Sequence, residues 1–537
     1  MKRIPFLKSG EPYIWLTGGA LAFCVLMVAG MVLLIAFNGL SGFWPTRLVR
    51  FAMNDGRVIL GRVEDRDLSA DPSEGKKYRI KVNRGNRDLD QADFIWLEES
   101  DVAEHDQPSD ALVVERTEWG SFFGQIKALK DGDHLVAEGP SEGLSTVIAA
   151  LPETHRLQRQ IVGIEKKEIG DINEAQEHLR LRSTRLERQG VTSGPELDRV
   201  RAEKDELQRR YDGQTARLED LKQQLQRTVV LSAVDGTEKE IPLANIVRLY
   251  QPNRMGLMAK AGLYLSKIWE FVSDDPRESN TEGGTFPAIF GTVMMVMLMT
   301  FIVTPLGVVA AVYLREYARQ GRLVSAVRIA VNNLAGVPSI VFGVFGVGFF
   351  IYLIGGNLDR LFFADYLPTP TLGTGGILWA SLTLALLTLP VVIVATEEGL
   401  AAVPRDVREA SLALGATQFE TTWRVVLPAV TPSILTGLIL AMARAAGEVA
   451  PLMVTGVVKL APTLPIDGNW PYLHVDRKFM HLGFYIYDVG FQSPNVDAAR
   501  PMVFATTLLL LVIVIVLNLA AILLRNHLRR RLTATGF

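Results

Sequence analysis

Five stretches of this chain carry no charged side chain over more than twenty residues: 14–40, 286–314, 329–356, 375–396 and 501–524. A sixth, 425–458, is apolar apart from Arg444 and Glu448, one helical turn apart. A helix rises 1.5 Å per residue and the hydrocarbon of a bilayer is about 30 Å thick, so about 20 apolar residues cross it. These runs predict an α-helical polytopic membrane protein with six transmembrane helices.

Between the first and second runs, residues 41–285 read as polar throughout. High apolar content in one part and charge in another is the pattern of a membrane protein with one large polar insert. Lys2, Arg3 and Lys8 precede the first run, which is longer than the core of a signal peptide and lacks its small-residue cleavage site. We expect an uncleaved first span with the N-terminus in the cytoplasm. Arg315, Arg319, Arg322 and Arg328 follow the second run, and Arg525 and Arg529 to Arg531 follow the last. The positive-inside rule then puts both termini and the loop 397–424 in the cytoplasm, and 41–285 and 457–500 outside. This gives four segments: 1–40, the insert 41–285, the permease-like region 286–524, and a cytoplasmic tail 525–537. The net charge of −2 predicts no nucleic-acid partner. Cys24, the single cysteine, can build neither a disulfide framework nor a zinc site and reads as a small buried hydrophobe.

The insert reads as α+β. Apolar residues alternate over 48–63 around Asn54-Asp55-Gly56, a hairpin signal. Residues 78–98 and 228–250 look alike, each a strand, a glycine-containing turn and an apolar return, which suggests a repeated β module. Between them, about 155–226 is helical. Leu197, Val200, Leu207, Tyr211, Leu218, Leu221 and Leu225 fall on three-and-four spacing, and Gly190 to Pro195 breaks the pattern midway. An antiparallel coiled-coil hairpin on a β base is the simplest structure; a single kinked helix is the other option.

No G-x-x-x-x-G-K-[ST] phosphate loop is present; Gly75-Lys76 lacks both the earlier glycine and the hydroxyl residue. There is no HExxH, paired-cysteine motif or nucleophile elbow either, so we expect no enzyme active site, cofactor or metal site. The specific signal lies in 397–428. Glu409-Ala410-Ser411, Gly415, Val425 and Leu427-Pro428 keep the spacing E-A-A-x-x-x-G-x(9)-I-x-L-P, with serine for the second alanine. This resembles the coupling loop of binding-protein-dependent ABC importer permeases. A short helix ending near Gly415 can turn back towards the membrane, and Leu427-Pro428 can restart a helix at the bilayer. Glu397, Glu398, Arg405 and Arg408 read as a solvated face, with pairing across the docking surface as the alternative.

The segments Leu334 to Gly346 (LAGVPSIVFGVFG), Tyr313 to Ala318 (YLREYA) and Arg444 to Leu452 (RAAGEVAPL) resemble phosphate-importer permeases of the PstA type. The resemblance covers about 286–524 and the first span. It implies a type I ABC importer permease fold without an ATP site of its own. It also implies partners: two ATP-hydrolysing subunits, a second permease subunit of the PstC type and an external phosphate-binding protein. In that family the residues matching Arg444 and Glu448 are implicated in phosphate passage. Ionisable groups within a span usually face a cavity or a partner, and the arginine fork suits phosphate oxygens. Small neighbours from Ala441 to Gly447 leave room for a path or for close packing. A silent structural ion pair and snorkelling to the outer surface are the other readings. Asn332 and Asn333 are read as interhelical hydrogen-bonding groups or, less directly, as lining a path. Two rivals stand beside the phosphate reading: a permease for another oxyanion such as sulfate or molybdate, and a membrane sensor or scaffold whose coiled coil tethers a partner.

Overall fold

A computed structural model describes residues 11–68, 78–90, 92–191, 193–493 and 495–534. It divides into two compact units. One is β-rich (Phe43–Glu270 with Pro276–Gly283) and the other holds the apolar helices (the chain up to Gly42, Phe271–Asp275 and Gly284 onward).

The first helix, α1 (Glu11–Ser41), contains the span Tyr13–Ser41. Cys24, expected to be buried, is exposed on it. The helix stands free there: Gly18, Gly19 and Gly30 have nothing within 4 Å. A span surrounded by lipid needs no protein cover, so apolarity in such a helix does not imply burial in the fold.

In the β-rich unit, β1 (Val49–Met53), β2 (Val58–Leu68), β3 (Tyr78–Asn83), β4 (Phe94–Glu98) and β5 (Val102–Asp106) form an antiparallel sheet in the order β4-β3-β2-β1-β5. The short helix α2 (Arg87–Asp90) lies between β3 and β4. The hairpin expected at Asn54-Asp55-Gly56 joins β1 to β2, with Gly56 at φ +88°. A second sheet holds β6 (Leu112–Arg116), β7 (Phe122–Asp131), β9 (Arg227–Ser232), β10 (Glu238–Pro242) and β11 (Ile246–Tyr250), ordered β10-β9-β7-β6-β11; β8 (His134–Glu138) pairs with β7. With β8 left aside and the strands numbered within each sheet, the two orders are the same. Each also has a 3₁₀ turn between its fourth and fifth strands, at Glu99–Asp101 and Leu243–Asn245. The repetition suspected between 78–98 and 228–250 is therefore structural, with one shift. The apolar run 246–250 is not the return of β9 but a fifth strand paired with β6. The modules are joined by Asn86, whose side chain accepts from Phe123 N (2.7 Å) and donates to Phe123 O (3.0 Å), and by the buried pair Arg116–Asp88 at 2.9 Å.

The helical hairpin interrupts the second module between β8 and β9. Its first arm is α3 (Pro140–Gly163), a π turn (Ile164–Glu168) and α4 (Ile169–Arg188). The second arm is α5 (Pro195–Gln223), whose 29 residues span roughly 44 Å. Leu157, Ile161 and Ile164 meet Leu218, Leu221 and Leu225, while Leu179 and Leu186 meet Leu197 and Val200, so the arms run antiparallel. The arm starts at Pro140 rather than near 155. Proline suits a first helical turn. Pro152 lies inside α3 and is tolerated because the carbonyl it leaves unbonded belongs to exposed Ile148. Val147, Ala150 and Leu151 of this earlier segment pack into the second β core with Ile126 and Leu129.

Residues 257–273, read as part of a polar insert, form an apolar helix, α6 (Leu257–Ser273). The two-residue strands β12 (Pro276–Arg277) and β13 (Glu282–Gly283) follow.

The remaining helices are α7 (Phe286–Val312), α8 (Arg322–Leu334), α9 (Ser339–Phe345), α10 (Gly356–Phe362), α11 (Ile377–Ala402), α12 (Arg405–Ala413), α13 (Gln418–Thr421), α14 (Leu427–Gly447), α15 (Ala450–Thr455), α16 (Leu482–Tyr487) and α17 (Val496–Ala534). Among the described residues, six spans are long and apolar enough to cross a membrane: Tyr13–Ser41, Phe286–Tyr317, Ser339–Phe362, Ile377–Ala402, Gln418–Gly447 and Val496–Arg530. Helices α7, α11 and α14 pack around Met295, Met299, Leu384, Val392, Val430 and Ala441. Glycines let them approach closely: a Cβ on Gly307 would sit 2.6 Å from Val392, and one on Gly437 2.6 Å from Ala395.

Two span boundaries differ from expectation. The third span begins at Ser339, not 329, because Pro338 is extended (ψ 137°) and separates it from the amphipathic α8. The fifth begins at Gln418 and ends at Gly447, and the apolar run beyond it is the separate helix α15. Pro451, in the first turn of α15, has no N–H to continue α14.

Candidate functional site: the α12 loop and the Arg444–Glu448 pair

Helix α11 ends at Ala402, and Pro404 starts α12, none of whose residues is buried. Glu409 and Ala410 are exposed on it. The helix closes at Gly415, whose φ of +89° suits glycine. The N–H of Gly415 donates to Leu412 O (2.9 Å) and that of Ala416 to Ser411 O (3.3 Å). Thr417 then caps the next helix in a capping box with Glu420. Ser411, the departure from the second alanine, has a use: its hydroxyl is 2.9 Å from that of Thr421, tying α12 to the base of the fifth span.

Leu427-Pro428 does not restart a helix. Residues from Gln418 onward already form one continuous helix through a π turn at Thr422–Val426, with Leu427 N–H bonded to Thr422 O. The wider turn absorbs Pro428, which has no N–H to give. Pro428 therefore marks an irregular stretch inside the span, not its start.

The charges around α12 are only partly a solvated face. Glu398 and Arg405 are exposed. Arg408 instead donates to Leu400 O (2.7 Å) and Val403 O (2.6 Å), closing the C-terminus of α11, and pairs with Glu316 at 2.9 Å. Glu397 pairs with Arg328 of α8 at 3.1 Å. Gln418 Nε2 donates to Glu316 O at 2.8 Å. Glu316 lies in the π turn Tyr313–Tyr317 that ends the second span, so α12 is braced on α7 and α11 together. Sequence reading quoted this segment as YLREYA without seeing its role. It also missed the apolar side of the loop. Leu412, Leu414, Phe419 and Trp423 are exposed, Leu414 by 90%, and Phe419 and Trp423 stack at 6.2 Å. Four large apolar residues in an otherwise charged loop were the available signal.

Arg444 lies in the last turn of α14, and Glu448 just beyond it at φ −79°, ψ 129°. Nε of Arg444 is 3.5 Å from Oε1 of Glu448, and neither side chain is fully buried. Ala441, Ala445 and Ala446 on the same turns are wholly buried in the helix core. The pair thus sits at an open helix end between α14 and α15 rather than inside a continuous span. At that distance the bond is long and easily exchanged. A cavity of about 310 Å³ lies between α8, α11 and α14. Its walls are mostly apolar, and Asn332 and Glu398 are its polar groups. A carboxylate makes it a poor home for an anion.

Six spans, a short exposed helix braced on two of them and an ionisable pair at a helix break together mark a helical membrane permease. The chain belongs to the family of binding-protein-dependent transport system inner membrane components, whose model matches residues 303–534. It is 30% identical over 235 residues to the probable ABC transporter permease protein YqgI of Bacillus subtilis, covering 43% of this chain and 74% of that one. Over 172 residues it is 38% identical to the phosphate transport system permease protein PstA 1 of Mycobacterium tuberculosis, 32% of this chain and 50% of that one. Over 188 residues it is 37% identical to PstA of Yersinia pestis, 35% of this chain and 57% of that one. The chain spans about half the length of these PstA relatives. The β-rich unit, up to Glu270, lies outside the family match.

Proposed function

We propose that this chain is the permease subunit of an ATP-driven phosphate importer in the bacterial inner membrane. The observation that carries the coupling half of this reading is α12, a helix with no buried residue that is nonetheless braced on two spans. An exposed apolar rim at Leu412, Leu414 and Phe419 suits a cleft on an ATP-hydrolysing subunit. Glu409, Ala410, Ser411 and Gly415 form the docking helix and its turn, and the π turn before Leu427 and Pro428 passes its displacement into the fifth span. Movement of α12 reaches α7 through Arg408–Glu316 and α11 through the bonds of Arg408 to Leu400 O and Val403 O, and α11 in turn holds α8 through Glu397–Arg328. ATP hydrolysis stays with two partner subunits. A second permease subunit of the PstC type completes the path, and a phosphate-binding protein delivers from outside. Both termini face the cytoplasm, and 41–285 faces the other side.

Phosphate as the cargo rests on the PstA relatives and on Arg444. Its guanidinium, held by one long bond to Glu448, can exchange that carboxylate for two phosphate oxygens. Alternating access then needs the pair open in one state and closed in the other. Arg444→Gln is expected to abolish phosphate uptake, a loss of at least ~100-fold if the arginine contact is charge-assisted, with the complex assembled in normal amount. Normal uptake in membranes of confirmed expression would remove Arg444 from the path. Competition of labelled phosphate with sulfate and molybdate separates phosphate from other oxyanions.

A further inference from the structure

Helix α6 has its charge turned inward and its apolar side turned outward. On the inner side, Lys267 pairs with Glu115 and donates to Tyr250 Oη at 3.1 Å, while Glu270 pairs with Arg248 at 2.7 Å and with Arg277. Lys260, the remaining charged residue of the helix, is 7% exposed. The outer side presents Met258, Leu265 and Trp269, exposed by 90%, 64% and 73%, with Gly262 and Ser266 between them. Their spacing of seven and then four residues puts them on one stripe three turns long. Water facing this helix would reverse the arrangement, because lysine and glutamate gain from hydration what leucine and tryptophan lose by it.

The middle and the C-terminal end of α6 are each tied to a residue that adjoins a membrane span in the sequence. Trp44, three residues past the end of α1, packs on Tyr264 with ring centroids 5.5 Å apart. At its C-terminal end, Phe271 O accepts from both the N–H (2.8 Å) and the hydroxyl (3.0 Å) of Thr285, and α7 begins at Phe286. The helix is thus tied to two residues that adjoin spans in the sequence, and its outer stripe carries a tryptophan, the residue enriched at membrane–water boundaries.

We propose that the Met258–Leu265–Trp269 face of α6 lies in the lipid headgroup and upper acyl region of the leaflet from which α1 and α7 emerge. The helix is a membrane-surface anchor for the β-rich unit. This assignment is independent of the cargo and of the ATPase partner. The test uses the full chain in lipid nanodiscs with Cys24→Ser as background. A nitroxide is placed at Leu265→Cys, with Glu203→Cys on the hairpin as the aqueous reference. Collisions with oxygen are expected to exceed those with a water-soluble nickel chelate several-fold at Leu265 and not at Glu203. Equal nickel access at the two positions would overturn the proposal, since the face would then be in water. Shielding of Leu265 from both reagents would also overturn it, since protein would then cover the face. If Leu265→Cys does not fold, Met258→Cys reads the same stripe from its most exposed position.

Discussion

Two arginines of the membrane unit each meet one carboxylate, with different consequences. Arg408 has Glu316 at 2.9 Å and two backbone carbonyls, and little of it is exposed. Both terminal nitrogens of that guanidinium are bonded, and it fixes the loop. Arg444 has Glu448 at 3.5 Å and is more open, which leaves donors for a visiting anion. The sequence already put Arg444 forward for the path, since it sits in an apolar run, but placed Arg408 on a solvated face because it sits in a charged loop. Spacing along a chain cannot reveal a partner 92 residues away, as Glu316 is from Arg408. A third charged residue is felt through pH. Burial first, and then the charge of Glu115, push the Glu282 carboxyl up to about 7 from 4.5, with Arg277 and Lys267 opposing. The folded chain holds this proton more tightly than the unfolded chain. Its contribution is therefore full below 4.5 and lost as pH rises through about 7. Part of the residue's surface stays accessible, so the loss amounts to about 1–2 kcal/mol. Hydrogen exchange in α6 and the β12–β13 hairpin should quicken from about pH 4.5 to about pH 7 beyond the intrinsic rate. Glu282→Gln should flatten that excess, and an unchanged excess in the variant would assign it to another group.

At the scale of elements, the tightest local requirement is the turn after α12. Gly415 has φ +89° and open space around it, with nothing within 4 Å of an added Cβ. Substitution there meets backbone strain and no clash, a cost of about 1–2 kcal/mol for most residues and less for asparagine. Gly415→Asp is expected to uncouple ATP hydrolysis from uptake or release the ATPase subunit, and Gly415→Asn to do so more weakly. Equal uptake and equal subunit retention for glycine and aspartate would count against α12 as the coupling element. Helix existence was legible throughout because long apolar runs admit little else. Helix limits were less so. Pro428 reads as a boundary and is an interior residue absorbed by a π turn, and Pro152 likewise lies inside its helix, beside an exposed residue. Pro338 and Pro451 mark true breaks. Helix α6 was missed because Lys260, Lys267 and Glu270 made a membrane-like stripe average out to a polar segment.

At the scale of the molecule, a shared permease architecture carries a β-rich unit that the family match does not reach. The equal strand order of its two sheets was only dimly visible, since β11 is separated from its partner β6 by more than a hundred residues. The helical hairpin emerges from the second module beyond the segment that packs Val147, Ala150 and Leu151 into the β core. Removing 155–226 through a short flexible linker should therefore leave both sheets folded. If the hairpin docks the binding protein, uptake falls while the assembled complex and its ATPase activity persist. Full uptake would make the hairpin dispensable for transport.

The matching strand orders also bear on how the chain assembles. The first module is contiguous from Val49 to Asp106, so each strand can find its neighbour as soon as it emerges. The second must join Asp131 to Arg227 across 96 positions before its middle strands meet. Closing so long a loop is entropically unfavourable and slow unless its ends are already near one another. An antiparallel helical hairpin supplies that nearness, because its arms zip from the Gly190–Pro195 turn and return Gln223 to the neighbourhood of Gly163. Pulsed exchange labelling during refolding should protect 49–106 first, then the hairpin, and β9 to β11 last. In that sequence the projecting helices work as a folding template for the sheet that carries them.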